Sequence, residues 1–454
     1  MASEADTRQA GAGLDRQRAI ADLEAQLART PRATRPHEHG AVAYRLGLAH
    51  AEAPGGSPEA AMRKALAYFD TAAALFDPRY DPIEHARVLN GAGAARRALG
   101  DRVRAVELFE RASGLLEGRE RDDERAGVLN NLGLARSELG RLEEAVVACD
   151  EAVALFDTTS AEGRRGRIAT LHTRGSARAA IGTDESLGAA LADFRQAADE
   201  LDPEEAPYHH GLVQHSLGVT YSGLAARRPD ERARLLGEAI AAFRESLTVF
   251  TRLAFPFQHA LVKHNLGLAW SSQGGAANLR RALASFEDAV SMFDPRMHAE
   301  AWRQAYTNLE RVEKELDALA PGMSRAEHFV ALLVAVNADE RRALLQERLG
   351  ALLALPTENR RRSSLVELAL ASATLAFEEA RAVMEAELSI LIELPTEHLE
   401  SGLRARLDAH RRLEDHQTAE EADRALDQAI GDALQGPQRI SVRDFFYSLG
   451  WERP

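Results

Sequence analysis

The stretch RAGVLNNLGLARSELGRLEEAVVACDEAVALFD, Arg125–Asp157, decides the fold. Apolar residues recur at steps of three and four on both sides of Gly140, which predicts two amphipathic helices joined by a tight turn. Versions of this hairpin recur from about residue 40 to residue 320. Gly47, Gly93, Gly133, Gly175, Gly218 and Gly267 each sit inside a helical pattern, at spacings of 46, 40, 42, 43 and 49. A turn follows each, then an alanine with a bulkier residue four positions on: Ala65/Phe69, Ala105/Phe109, Ala145/Cys149, Ala190/Phe194, Ala239/Phe243 and Ala282/Phe286. Three residues further stand Ala72, Ala112, Ala152, Ala197, Ser246 and Ala289. Steps of four and three keep these on one helical face. Small side chains there let paired helices approach closely, while the aromatic fills the space between layers. Asp77-Pro78, Asp202-Pro203 and Asp294-Pro295 stop second helices and turn the chain.

The bulk numbers agree with a stack of such hairpins. A single core stops growing at roughly 250–300 residues, so 454 residues imply several domains or an elongated solenoid. Ala, Leu, Arg and Glu dominate, residues of good helix propensity. The net charge of -14 argues against general nucleic-acid binding, which needs Lys and Arg to neutralise phosphates. The one compact basic run, Arg360-Arg361-Arg362, reads as a solvated face. With one cysteine, Cys149, neither an intramolecular disulfide nor a cysteine-based zinc cluster can form. The start of the chain lacks the basic and apolar regions of a signal peptide. The longest apolar runs, such as Phe329–Val336, are too short to span a membrane. The expected location is the cytoplasm, and the Ala/Arg bias suggests a GC-rich bacterial source.

In chain order, residues 1–36 read as a disordered start (1–15) and a lead-in helix from Arg16 to Thr30, broken by Pro31 and Pro36. The repeat array covers 37–298. Residues 299–321 form one long helix, with Glu310 where the repeat glycine would stand, and suit a cap. Residues 322–439 repeat more weakly: Leu355-Pro-Thr-Glu358 returns as Leu394-Pro-Thr-Glu397, and Pro321, Pro356, Pro395 and Pro437 are spaced 35, 39 and 42. This reads as divergent helical hairpins, with a separate bundle as the alternative. Residues 440–454 form an aromatic tail with Phe445, Phe446, Tyr447 and Trp451. Docking in cis, over the last hairpin or in the protein's own groove, is the favoured expectation; presentation to a partner is the other.

The array resembles the tetratricopeptide repeat, whose signature is a Leu-Gly pair, a small alanine, an aromatic and a closing proline. The match lies in Leu46-Gly47, Leu132-Gly133, Leu217-Gly218 and Leu266-Gly267, with Tyr221 and Trp270 beyond the last two, and covers about 280 residues in six units. The periods exceed the usual ~34 residues, and the turns are enlarged around Pro54–Pro58, Thr183–Gly188, Arg227–Leu236 and Gln273–Leu279. The Asn130-Asn131-Leu132-Gly133 version is similar to the longer repeats of kinesin light chains and related bacterial proteins. The resemblance implies an all-α, right-handed superhelical solenoid of antiparallel hairpins. It also implies that first helices line a concave groove where a protein or peptide binds.

Three residues before each glycine stand Tyr44, Asn90, Asn130, His172, His215 and His264; two before stand Arg45, Gly91, Asn131, Thr173, Ser216 and Asn265. An amide column suits an extended peptide, since Asn both donates and accepts. Tyr44, Arg87, Asn90, Asn130, Asn131, His172, His215, His264 and Asn265 are therefore the candidate partner-binding residues; the bland account is solvated surface with hydrogen bonds between repeats. The lysine clamp of some chaperone-binding relatives is not visible in these columns. His39, His85, His210 and His259, eight residues before their glycines, read as neutral capping or packing histidines. Three histidines along a stack of helices cannot converge on a metal, and His37-Glu38-His39 lacks metalloprotease spacing. No phosphate-binding loop or nucleophile elbow is present, and Cys149 reads as buried and inert. The expected function is a non-enzymatic scaffold or adaptor without cofactor or metal, holding a protein or peptide, with self-association possible. The alternative is a sensor whose aromatic tail fills the groove until displaced.

Overall fold

The computed structural model describes residues 4–52 and 57–451. Met1–Ser3, the centre of the Pro54–Pro58 turn and the last three residues of the tail lie outside the described residues. Among the described residues every regular element is helical. The chain divides into two compact units, Met1–Leu235 and Leu236–Pro454. The division falls inside the repeat array, not at residue 298 or 321.

In the first unit, α1 spans Glu4–Arg29, α2 Pro36–Ala51, α3 Pro58–Ala73, α4 Pro82–Ala98 and α5 Arg102–Leu116. Next come α6 Asp122–Glu138, α7 Leu142–Leu155, α8 Ala161–Ile181, α9 Asp184–Glu200 and α10 Pro207–Arg227. The first helix starts at Glu4, not Arg16: Ala, Gln, Arg and Glu favour a helix, and no proline stands before Pro31. Consecutive helices pair as α2/α3, α4/α5, α6/α7 and α8/α9, each hairpin packing on the next. Prolines open α2, α4 and α10, where a missing N–H costs nothing. Gly140 turns the quoted hairpin with φ +76°, a conformation that glycine adopts without strain.

The glycine–aromatic pairing is a lock within each hairpin. A Cβ added to Gly93 would lie 2.7 Å from the Phe109 ring, and one on Gly175 2.7 Å from Phe194. On Gly133 it would meet the Cys149 sulfur at 2.5 Å. Phe69 is clasped twice, by Gly47 of its own hairpin and by Gly91 of the next. Phe109, Phe194 and the flanking alanines are fully buried. Each aromatic wedge contributes roughly 1.5–3 kcal/mol by burial, and only a glycine opposite lets it seat.

The links between hairpins are also built from the sequence. Asp77 Oδ1 accepts the Arg79 backbone N–H at 2.9 Å and Asp202 Oδ1 that of Glu204 at 2.9 Å, so these aspartates fold the turn. The His39 Nδ1 contacts the Thr30 carbonyl at 2.6 Å, and His85 Nδ1 the Phe76 carbonyl at 2.7 Å. The early-helix histidines thus cap the end of the preceding helix.

The second unit holds most of α11 (Arg232–Val249), then α12 Pro256–Gln273, α13 Ala276–Met292, α14 Ala299–Leu319, α15 Arg325–Ala335 and α16 Ala338–Leu353. It continues with α17 Glu358–Ala373, α18 Phe377–Leu391, α19 Thr396–His410, α20 His416–Ala433 and α21 Gly436–Ser448. Helices α12 and α13 repeat the hairpin, with Gly267 against Phe286. From α15 onward the packing rule changes. Alternate helices now lie side by side, α15 on α17 on α19 and α16 on α18 on α20, forming two layers around one core. Neighbours in sequence barely touch there, because the close-approach glycine facing an aromatic is missing. The segment therefore continues as stacked helices and follows a different geometry.

The tail completes this core. Phe446 is fully buried, and Trp451 is 5% exposed, its Nε1–H donating to Asp423 Oδ1 at 3.1 Å. His410 Nδ1 meets the same carboxylate oxygen at 2.8 Å. Tyr447 stacks on Trp451 at 5.8 Å and stays half-exposed.

Candidate functional site

The two polar columns of the first helices meet each other. Asn131 Nδ2 donates to Asn90 Oδ1 at 2.9 Å, His172 Nε2 lies 3.0 Å from Ser216 Oγ, and Asn308 Nδ2 lies 3.0 Å from His264 Nε2. In each case the residue three before one glycine position bonds the residue two before the next. This is a ladder between hairpins. It explains two exceptions. Where Gly91 offers no side chain, Tyr44 packs against Phe69 at 6.0 Å. Thr173 turns its hydroxyl to the Ala169 carbonyl at 3.0 Å, and Asn130 Oδ1 is left buried without a partner. Arg87 is engaged as well, in a two-pronged ion pair with Glu124 at 2.7 and 2.8 Å. His215 and Asn265 also have partners. The columns are thus largely occupied by structure, since a ring or amide bonded to the next hairpin has less capacity for a ligand.

Burial holds the ladder histidines neutral. It pushes His172 and His215 down to about 4, with neighbouring histidines adding to the effect at His172. His264 is lowered by the same cause. The unfolded chain binds these protons near 6.5. Between that value and about 4 the unfolded state therefore takes up more protons, so stability is complete above 6.5 and falls as the pH drops. The expected loss is on the order of 2 kcal/mol for each of these two residues by pH 5. Urea midpoints at pH 7 and pH 5 should differ accordingly, and His172→Gln should flatten the dependence.

Charged side chains brace the same unit. Arg174 stands where other repeats carry Leu or Ala. It binds buried Asp193 at 2.6 Å and Asp150 at 2.8 Å, and Arg178 reaches the same two carboxylates.

The concave feature with the properties of a binding site lies in the second unit. A cleft of about 1070 Å³ opens between α11–α13 and α16. Leu247, Leu266, Trp270, Ala284 and Leu344 give it an apolar lining. Arg244 and Arg281 flank the Trp270 ring at 5.4 and 5.0 Å, and both pair with Glu340 of α16. At the other end a buried cluster gathers His259, Lys263 and Asp288 with Glu347 of α16. His259 contacts the Phe250 carbonyl through Nδ1 at 2.9 Å and Asp288 Oδ2 through Nε2 at 2.9 Å. Burial raises the Asp288 carboxyl, but the His259 hydrogen bond and the charges of Lys263 and Arg252 outweigh it and hold it down to about 2.

His259, Asp288 and Glu347 bring donor atoms within 4.8 Å of one another, a spacing a metal could use. Lys263 sits on Glu347 and Arg252 on Asp288, so the carboxylates already carry their counter-charges. The hydroxyls lining the cleft are Thr251 and Ser285; Ser285 donates to the Arg281 carbonyl at 2.8 Å, and Thr251 accepts the Ala254 N–H at 3.2 Å. His172 and His264 bond different neighbours along the ladder, Ser216 and Asn308. Cys149 is buried, and its thiol is pushed up to about 12 by burial.

The sequence reading missed the cleft because its walls lie about 80 residues apart in the chain. One signal was present: His259, Lys263, Leu266 and Trp270 recur at helical steps along one face of α12.

No protein-family model and no curated protein matches the sequence. A comparison with solved structures finds similarity to yeast Tom70, at 11% identity, covering 90% of this chain and 95% of that chain with a TM-score of 0.22. At that score the likeness carries no argument. The fold rests on the helices and contacts described above. Among the described residues no helix is long and apolar enough to cross a membrane.

Proposed function

We propose that the protein is a non-enzymatic interaction scaffold that holds a segment of another protein in the cleft between α11–α13 and α16. One observation carries this reading: an open cleft of about 1070 Å³ joins an apolar lining to a few fixed charges, the combination typical of a recognition site. Trp270, braced by Arg244 and Arg281, is the natural anchor, since rigid aromatics dominate interface energies. α16 serves as a fixed wall, because Leu345, Leu349, Leu352 and Leu353 on its other side are buried in the core. The first-helix columns contribute by holding successive hairpins in register. The tail's described contacts are with α19 and α20, and it lines no part of the cleft.

Affinity capture from the native host separates these roles. Trp270→Ala should weaken capture of a specific partner by about tenfold or more. Asn131→Ala should leave capture intact while lowering thermal stability. Val147→Ser, an exposed second-helix change, should alter neither. Capture that survives Trp270→Ala and is lost in Val147→Ser would overturn the proposal.

A further inference from the structure

The arginine run that reads as solvated in the sequence acquires partners in the fold. α17 carries Arg361 and Arg362 into a pocket of about 240 Å³ in the second unit, and α19 with the residue after it adds Arg404 and Arg411. The pocket's carboxylates are Glu358 and Asp408, so its lining has a net charge of +2 inside a chain whose net charge is -14. Glu400 approaches Arg404 from outside the lining at 3.7 Å. The pocket also opens at the first turn of α17, where the helix dipole is positive.

The guanidiniums are positioned by neighbours and keep most of their donors. Arg361 gives one hydrogen bond, to the Leu355 carbonyl at 3.2 Å. Arg362 grips Asp408 at 2.6 and 2.9 Å. Arg411 donates to the Leu449 carbonyl of the tail. Arg404 lies over the Phe445 ring at 5.2 Å, and no hydrogen bond of its guanidinium is found among the described residues. Two of the four arginines are therefore set by the tail, Arg404 by Phe445 and Arg411 by Leu449. This gives the tail a role that burial of Phe446 and Trp451 alone does not require.

We propose that this pocket binds a phosphoryl group. Converging planar forks of N–H donors match tetrahedral phosphate oxygens, and a lining charge of +2 matches a dianion. The group arrives either on a phosphorylated side chain or as free phosphate.

Isothermal titration of the full chain at low ionic strength and neutral pH tests this. The probes are inorganic phosphate, Gly-phosphoserine-Gly and unphosphorylated Gly-Ser-Gly. Saturable binding of a phosphorylated probe but not of Gly-Ser-Gly is expected. Arg361→Gln and Arg404→Gln should each weaken it about tenfold, and Phe445→Leu about threefold. Arg195→Gln, whose partner is Tyr221 in the first unit, should leave it unchanged. Tighter binding of the peptide assigns the pocket to phosphorylated side chains, and tighter binding of phosphate assigns it to the free ion. The proposal fails if neither phosphorylated probe saturates. It also fails if Arg361→Gln and Arg404→Gln, with melting curves like the wild type, bind as the wild type does.

Discussion

Arg406→Met is expected to destabilise the second unit by about 3–5 kcal/mol. Arg406 is 2% exposed, and three contacts hold its guanidinium: Nη1 donates to the Ala369 carbonyl at 2.8 Å and to Ser372 Oγ at 2.6 Å, and Nη2 pairs with Glu387. These contacts tie α19 to α17 and α18. Removing the cation strands Glu387, itself 5% exposed, as a buried charge without a counter-ion. The loss therefore comes mainly from the carboxylate left behind. The double variant Arg406→Met/Glu387→Met should accordingly recover most of the stability or exceed the wild type, since apolar packing often equals a buried ion pair. Urea denaturation followed by circular dichroism reads both. A double variant as unstable as the single one would show that the pair, and not the stranded charge, sets the cost.

Gly133→Val should cost about 3 kcal/mol, while Gly127→Ala on the same helix should add about 0.5–1 kcal/mol. The opposite signs follow from what each new side chain meets. At Gly133 a Cβ reaches the Cys149 sulfur at 2.5 Å and stands against the hairpin partner. At Gly127 a Cβ has nothing within 4 Å, so alanine only removes the conformational freedom of glycine in the unfolded chain. Cys149→Ala should rescue part of the Gly133→Val loss by making room for the added methyls. Melting temperatures of the four chains decide it, and equal losses at both glycines would contradict the lock.

The lock was legible in the sequence because it is local. Each hairpin carries a glycine and a bulky residue 16 to 22 positions later, and the structure adds that Gly47/Phe69, Gly93/Phe109, Gly133/Cys149, Gly175/Phe194 and Gly267/Phe286 meet. The capping histidines His39 and His85 were legible for the same reason. The polar columns were visible, but their use was not. Spacing places Asn90 and Asn131 on corresponding turns and is silent on whether they face a ligand or each other. Arg406 with Glu387 and Arg174 with Asp193 carried no signal in the sequence, because each counter-charge comes from another helix. The cleft escaped for the same reason: Lys263 and Arg281 meet Glu347 and Glu340 only after α16 returns to α12 and α13. Beyond α13 the glycine marker stops, with Glu310 in its place on α14, and with it the signal for which helices pair.

The most direct test of the scaffold reading places a photo-activated cross-linker at Leu344 in the cleft and, in a second chain, at Asn130 in the first-helix column. The cleft probe should yield a specific adduct with the captured partner that disappears in the Trp270→Ala background. Adducts formed at Asn130 alone, with the Leu344 probe silent, would contradict the account.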